Sequence, residues 1–486
     1  MKFFLNAISN IVNGSANAIF ALVLPPLLIT KMSLEEYALW SYCLQTGAII
    51  GYLNLGVQTA VGRYVALYIE GRNTEGVLNV IRTADKILYI MFVIGLCVSI
   101  ALYLNIDSLV DITQENLILL APQVIFIVSI GYCFSLLLNS YSGYFVGIRS
   151  NHVPMWINLV SKVLLGALVV YFAESGLLFL SLLFLLINIL TYILSFVFWK
   201  REAISRYILS SSIYVEKSAF IKFCLGLSVW NLGMLLVTGI NSTIVGYFSF
   251  QHVAYFTIAN GLVMALIGFA STGLNPLIQV FTGMHAKRQT EQISKIIINA
   301  NNALSVLMLT AFVIYHLFSS SLFSIWLNED YASPVAQFVD LLIISACFRV
   351  LNVPYALALI ATGNQSKALL GALVEGVVNL ILAFLFSYAF GVIYLPFAMI
   401  ISSVIATLYN AFINMPSTIN DIPITYKRFF SYELIFLPVF ILAFYVSADL
   451  SFLLIFLFLI FLCYKYYASF VVSIRKSVDI VRCKFS

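Results

Sequence analysis

Charge is what this sequence has least of: Asp, Glu, Lys and Arg supply 9% of its 486 residues, against about 25% in a soluble globular domain. That scarcity excludes the soluble class. The seven cysteines (Cys43, Cys97, Cys133, Cys224, Cys347, Cys463 and Cys483) show no CxxC spacing, and six lie inside or beside apolar runs. This excludes a disulfide framework and a thiolate metal centre. His152, His252, His285 and His316 fall near the ends of apolar runs, none at metal-ligand spacing from another His or Cys, so no metal site is expected. No P-loop, HExxH or nucleophile-elbow string occurs, which leaves no catalytic residue to name, no cofactor to expect and no segment able to hydrolyse ATP. The net charge of +5 is spread over loops without a basic patch interleaved with aromatics, so nucleic acid is not a partner.

What the sequence has is apolar length. Hydrophobic residues make up 62% of the chain, and runs of about 20, enough to cross roughly 30 Å of hydrocarbon as helix, recur from end to end. Lipid solvates no backbone groups, so only helices or closed barrels can span it, and these runs are too long and too uniform for barrel strands. The expected fold is all-α and polytopic, with about fourteen transmembrane helices at 7–30, 35–58, 86–105, 118–141, 153–173, 176–199, 220–248, 253–275, 292–317, 335–361, 367–389, 391–414, 431–447 and 450–472. The N-terminus superficially resembles a signal peptide, but Asn6, Asn10, Asn13 and Asn17 interrupt the apolar stretch and the run continues past "SANA". It reads as the first span and not as a leader. Basic residues collect at every second connection, among them Arg63, Arg72, Arg82, Arg149, Arg201, Arg288, Lys367 and Arg428. The intervening loops hold Lys31 alone, beside Glu35, Asp111, Glu174 and Asp330. The positive-inside rule then puts both termini in the cytoplasm.

Two polar islands repeat. "EGRNTEGVLNVI" (70–81) and "KRQTEQISKIII" (287–298) share Arg72/Arg288, Thr74/Thr290, Glu75/Glu291 and Ile81/Ile297 at an offset of 288 − 72 = 216. The same shift lays "EEYALWSY" (35–42) over "QHVAYFTI" (251–258) and "GIRSN" (147–151) over "GNQSK" (363–367). A duplicated chain follows, with six spans in each copy. An even number keeps both copies the same way up, and parallel repeats are a transporter architecture. The expected division is an N-terminal six-helix lobe over 1–205, a C-terminal six-helix lobe over 206–419, and two extra helices with a cytoplasmic tail over 420–486. Each island would be the cytoplasmic loop after the second helix of a lobe. A plainer reading, compatible with the first, is that Thr and Glu cap a helix there.

Polar residues inside the spans form stripes. Asn6, Asn10, Asn13 and Asn17 share one helix face; Ser41, Gln45, Tyr52, Thr59 and Arg63 follow a stripe in span 2, and Thr257, Asn260, Ser271 and Asn275 one in span 8. Amides facing lipid would be costly, so these face protein or water: helix–helix hydrogen bonds are one use, a shared wet cavity the other. Three charges lie deep. Lys162 is about nine residues into span 5, Arg349 is near the centre of span 10, five residues before Pro354, and Glu375 is one-third into span 11. At the 216 shift Glu375 falls on Leu159, three residues before Lys162, which would set these two charges about one turn apart in depth on equivalent helices. Each reads as a transport residue or as half of a structural ion pair. "GYFVG" (143–147) is a GxxxG string suited to a close helix contact.

"LPPLLITKMSLEEYALWSYCLQTGAIIGYLNLGVQTAVGRYVALYIEGRN" resembles the opening of the polysaccharide transporter family, the Wzx-type O-antigen flippases of the MATE/MurJ-like superfamily. "INSTIVGYFSFQHVAYFTIANGL", "LFSIWLNEDYASPVAQFVDLLI" and "ALALIATGNQSKALL" resemble its later segments, so the likeness covers nearly the whole chain through many weak positions. Asn241 departs from the pattern, since many relatives carry Asp there, and no coupling role carries over to it.

The resemblance implies a two-lobed inner-membrane carrier that moves undecaprenyl-pyrophosphate-linked oligosaccharide from the cytoplasmic to the periplasmic leaflet by alternating access. Such a load asks for cations at the diphosphate and amides or hydroxyls at the sugars, while its lipid stays in the bilayer. Arg63, Lys162 and Arg349 are the candidates for the first, and Asn10, Asn13, Asn17, Gln45, Asn260 and Asn275 for the second. Glu375 is the candidate for a coupling cation, H+ or Na+. The expected partners are the lipid-linked oligosaccharide, membrane lipids, that cation and a polysaccharide polymerase, with the carrier acting as a monomer. A cation-coupled multidrug antiporter of the same fold is one alternative; it would place acidic residues in span 1, which holds Asn instead. A polytopic polymerase or acyltransferase is the other, and it would need clustered acid–base groups that the short external loops do not offer.

Overall fold

Thr74 opens a helix of 36 residues and Thr290 one of 37, so from those threonines on both polar islands are the first turns of long helices, and residues 287–289 of the second island form the turn before one. Glu75 and Glu291 sit in those first turns, where a carboxylate meets the positive end of the helix dipole. Capping is only partly what was expected, because the cap position before Thr290 is Gln289, which makes no side-chain cap bond. The computed structural model describes residues 21–70, 74–112, 114–206, 217–274, 277–327, 329–425 and 429. The expected spans at 431–447 and 450–472, and Asn10, Asn13, Asn17 and Asn275, lie outside the described residues.

Helix α1 (residues 21–29) leads into α2 (Leu34–Gly47), entered through a capping box in which the Ser33 hydroxyl and the Glu36 carboxylate take each other's backbone N–H groups. A 3₁₀ stretch, Ala48–Asn54, continues α2. Leu55 (φ 50°) and Gly56 (φ 67°) then break the crossing before α3 (Val57–Glu70). There follow α4 (Thr74–Leu109), α5 (Glu115–Gly147), α6 (His152–Tyr171) and α7 (Leu177–Arg206). The second lobe begins with α8 (Lys217–Met234), a π turn at Leu235–Gly239 and α9 (Asn241–Phe248), which together make one crossing. Its remaining helices are α10 (Val253–Leu274), α11 (Leu277–Ala286), α12 (Thr290–Trp326), α13 (Glu329–Ala361), α14 (Gln365–Phe390) and α15 (Leu395–Tyr409). A second π turn at Asn410–Asn414 and the short α16 (Met415–Ser417) complete it. Pro354 does not break α13, which runs through it unchanged. Among the described residues there is no strand, and nine helices are long and apolar enough to cross a membrane. The fold is all-α and polytopic.

The repeat holds, but not without gaps. The offset of 216 between α4 and α12 falls to 214 for α5 and α13, which are both 33 residues long. The connection before α13 is three residues shorter than the one before α5, and α12 is one residue longer than α4, a net loss of two. The "GIRSN"/"GNQSK" match therefore slips: the left-handed residues closing the two helices are Arg149 (φ 59°) and Gly363 (φ 84°), 214 apart. With α6 and α14 beginning at 152 and 365, Glu375 falls on Lys162 itself to within a residue, and not on Leu159.

The two ends of the molecule differ. At one end a single core takes Leu28, Tyr37 and Trp40 of the first lobe together with Val253, Phe256 and Phe338 of the second, and it borders all six connections there. The repeated Ala38 and Ala254 are both fully buried in it. At the opposite end the packing divides into two cores. Val61, Ile81 and Tyr144 pack in one, joined by Phe220 and Cys224 of α8, while Phe281, Ile297 and Tyr355 pack in another. Since lipid is as apolar as Leu, helices in the bilayer hold together by close packing and hydrogen bonds. "GYFVG" shows the first: a Cβ on Gly143 would stand 2.6 Å from the Gln58 carbonyl of α3, and one on Gly147 2.7 Å from Val65.

Candidate functional site

The second crossing (α2, the 3₁₀ stretch and α3) runs antiparallel along the seventh (α8, the π turn and α9), and this pairing is the polar seam between the lobes. From the joined end, Tyr42 fills the space above Gly246, where a Cβ would be 2.4 Å from its ring. Next Thr46 Oγ1 meets Thr243 Oγ1 at 3.2 Å, Tyr52 Oη meets Thr238 Oγ1 at 3.1 Å, and Asn231 Nδ2 donates to Asn54 Oδ1 at 2.7 Å. At the far end the Arg63 guanidinium lies 4.7 Å above the Phe223 ring, a cation–π contact that leaves Arg63 exposed. The stripe expected in span 2 thus partly faces the other lobe, with Gln45 half-buried beside it.

Behind the seam lies a largely buried charge pair. Arg349 Nε of α13 donates to Glu375 Oε1 of α14 at 2.7 Å, with side chains 11% and 16% exposed. Arg349 Nη2 also reaches the Val237 carbonyl at 3.4 Å. Asn241 Nδ2 donates to the same carbonyl at 3.0 Å, and Asn379 Nδ2 donates to Leu236 O at 2.8 Å and Asn241 Oδ1 at 2.9 Å. These carbonyls need outside donors because a π turn shifts the backbone pattern: Ile240 N–H reaches back five residues to Leu235 O. One turn further along α13, Asn352 Nδ2 donates to Thr407 Oγ1 at 2.6 Å, and its own Oδ1 accepts from Asn410, which in turn accepts from Asn414. The second lobe therefore carries a polar column from the Arg349–Glu375 pair through the second π turn.

The candidate residues distribute unevenly over this arrangement. Arg349 and Glu375 come together within one lobe, so neither charge stands open toward a ligand in this conformation. Lys162 lies half-buried on α6, which packs against α7. Asn260 is buried at the joined end, its Oδ1 without a hydrogen-bond partner among the described residues; it is not on an open surface. Sequence reasoning overlooked Asn379, Asn352, Asn410 and Asn414, although the i, i+4 spacing of the last two on an apolar helix was a visible signal. It also passed over two half-buried carboxylates, Asp85, which accepts from Ser140 Oγ at 2.6 Å, and Asp340, which accepts from Tyr315 Oη at 2.7 Å.

Two repeated helical lobes that share one core at one end define a class: the chain is a multi-pass, all-α membrane protein whose fold is shared with solved MurJ and MATE structures. A MatE family model matches residues 26–172. No curated protein matches the sequence. The lipid II flippase MurJ in an inward closed conformation aligns with a TM-score of 0.69 at 14% identity, covering 96% of this chain and 100% of that one. An inward-facing multidrug resistance MATE family transporter of the MOP superfamily aligns with a TM-score of 0.64 at 15% identity, over 85% and 98%. A MOP superfamily transporter from Pyrococcus furiosus, described as having a binding pocket of reverse polarity, aligns with 0.57 at 14% identity, over 85% and 95%. At such identities the likeness is one of fold, and function must be argued from the residues.

Proposed function

We propose that this protein is a flippase for lipid-linked oligosaccharide, moving undecaprenyl-pyrophosphate-linked polysaccharide repeat units from the cytoplasmic to the periplasmic leaflet of the bacterial inner membrane. The observation that carries the reading is the contrast between the ends. The joined end holds the acidic loops, and the end where the cores separate holds Arg63, Arg82, Arg149, Arg288 and Lys367. With basic loops inside, the lobes are closed toward the periplasm and part toward the cytoplasm, where the load is made. Both termini are then cytoplasmic, and the lobes rock about the seam between the second and seventh crossings.

Arg63, exposed at the cytoplasmic mouth of that seam, and Lys162 serve the diphosphate; Gln45 and the asparagines of span 1 serve sugar hydroxyls. Arg349 leaves the diphosphate set because Glu375 and the Val237 carbonyl engage it. The Glu375 carboxylate with its Arg349 partner is the coupling element.

Complementation tests the reading. Strains lacking their own flippase, each making a different known repeat unit, should regain surface polysaccharide in at least one case, and Arg63→Ala should abolish the rescue with the protein still present in the membrane. Likeness to the MATE transporter favours a second reading, a cation-coupled multidrug antiporter. Raised resistance to cationic dyes with no rescue of any strain would decide for it.

A further inference from the structure

The seventh crossing contacts the first lobe on both sides of its π turn. Before the turn, Leu227 fills the space at Gly56 and Asn231 meets Asn54; after it, Thr243 meets Thr46 and Gly246 meets Tyr42. A π turn contains one residue more than an α turn, and each residue of an α-helix advances about 100° around the axis. Closing the turn to α would therefore rotate everything after it by about that angle relative to everything before it. The two halves of the seam could not both stay in register.

What keeps the turn open is in the second lobe. Leu236 O and Val237 O receive side-chain hydrogen bonds from Asn379, Asn241 and Arg349, and the Arg349 guanidinium is oriented by Glu375. We propose that Arg349, Glu375, Asn241 and Asn379 form a clamp that holds the seventh crossing in its π register and so sets the contact between the lobes. The inference rests on the alternating-access reading above and deepens it: the buried pair is a positioning device, and a change in the charge of Glu375 is translated into a one-residue change of register at the seam. Arg349 is a cation built into the chain, and it occupies the carboxylate that a bound ion would otherwise neutralise.

Disulfide trapping in native membranes tests this without any substrate. In a background with the seven native cysteines replaced, Thr46→Cys/Thr243→Cys reports the seam after the turn and Asn54→Cys/Asn231→Cys the seam before it. Both pairs should cross-link in an otherwise unaltered chain. Glu375→Gln and, separately, Asn379→Ala should lower one yield relative to the other by about fivefold or more, the size expected when a buried hydrogen bond biases two states. Deleting Leu236, which closes the turn, should give the same signature with the clamp residues intact. The proposal is overturned if the ratio of the two yields is unchanged in both Glu375→Gln and Asn379→Ala while each remains monodisperse in detergent. Should the ratio shift but no strain be complemented by the unaltered protein, the clamp stands and the flippase reading fails. Rescue with an unmoved ratio removes only the clamp.

Discussion

At offset 214, lobe one places Ser135 and Leu138 where lobe two places Arg349 and Asn352. At offset 213, it places Lys162 where lobe two places Glu375. The helices carrying these residues match in start and, for α5 and α13, in length. Their interiors do not match. In lobe one the Ser135 hydroxyl turns back to its own helix, donating to Tyr132 O at 2.7 Å. In lobe two the equivalent site reaches across to α14 and to the π turn. Among the described residues both π turns belong to lobe two. Helix ends depend on local chemistry, such as a Thr–Glu start or a left-handed closing residue, and survive duplication. An interior polar network has only to satisfy itself, so one copy can acquire it without the other.

The largest effect should come from stranding a charge. Glu375→Leu leaves Arg349 buried without its partner and should cost about 3–5 kcal/mol, read as a lowered melting temperature in detergent. Adding Arg349→Leu should recover most of that loss, since an apolar pair of similar volume is nearly neutral. In lobe one, Ser135→Ala removes a single local bond and should cost about 0.5–1.5 kcal/mol. Equal losses from Glu375→Leu and Ser135→Ala would erase the distinction between the lobes.

Next comes the polar column. Asn352→Leu leaves the Asn410 amide without its acceptor and takes a donor from Thr407, whose hydroxyl keeps its own bond to Ser403 O, and should cost about 1–3 kcal/mol. Thermal melting of the double variant with Asn410→Leu should show strong non-additivity, and simple addition would mean that the column is not a network.

Close packing gives a comparable scale. Gly246→Ala at the seam and Gly143→Ala inside lobe one each force a Cβ into occupied space and should cost about 1–3 kcal/mol, but only Gly246→Ala should change trapping between positions 46 and 243. The smallest change in stability belongs to Arg63→Ala. Its exposed side chain should leave the stability, read by thermal melting, within about 0.5 kcal/mol of the parent while surface polysaccharide falls. Normal polysaccharide in that variant would remove Arg63 from the transport path.

Much of the plan was legible because apolar length and loop charge are summed over many residues. The seam was partly legible: the stripe of Ser41, Gln45, Tyr52, Thr59 and Arg63 was visible as a stripe, but its partner on the seventh crossing was not. Asn231, Thr238 and Thr243 share no simple α-helical stripe, because the π turn between them shifts the phase. Glu375 was matched to Leu159 and not to Lys162 because a two-residue shortening near 327 leaves no mark in an apolar chain. Pro354 interrupts nothing, because α13 absorbs it within a packed bundle, as membrane helices do.

The sequence by itself determined that this chain crosses a membrane many times as helix, which loops carry the basic charge, and that one half repeats the other. Each of those follows from the cost of unsatisfied backbone in lipid and from local composition. Only the tertiary structure decided that Arg349 meets Glu375, that Asn260 is buried at the joined end, and that α8 packs into a core of the first lobe. Such pairings depend on helix phase and register, and a single π turn or a shortened loop resets both without changing the hydrophobic pattern.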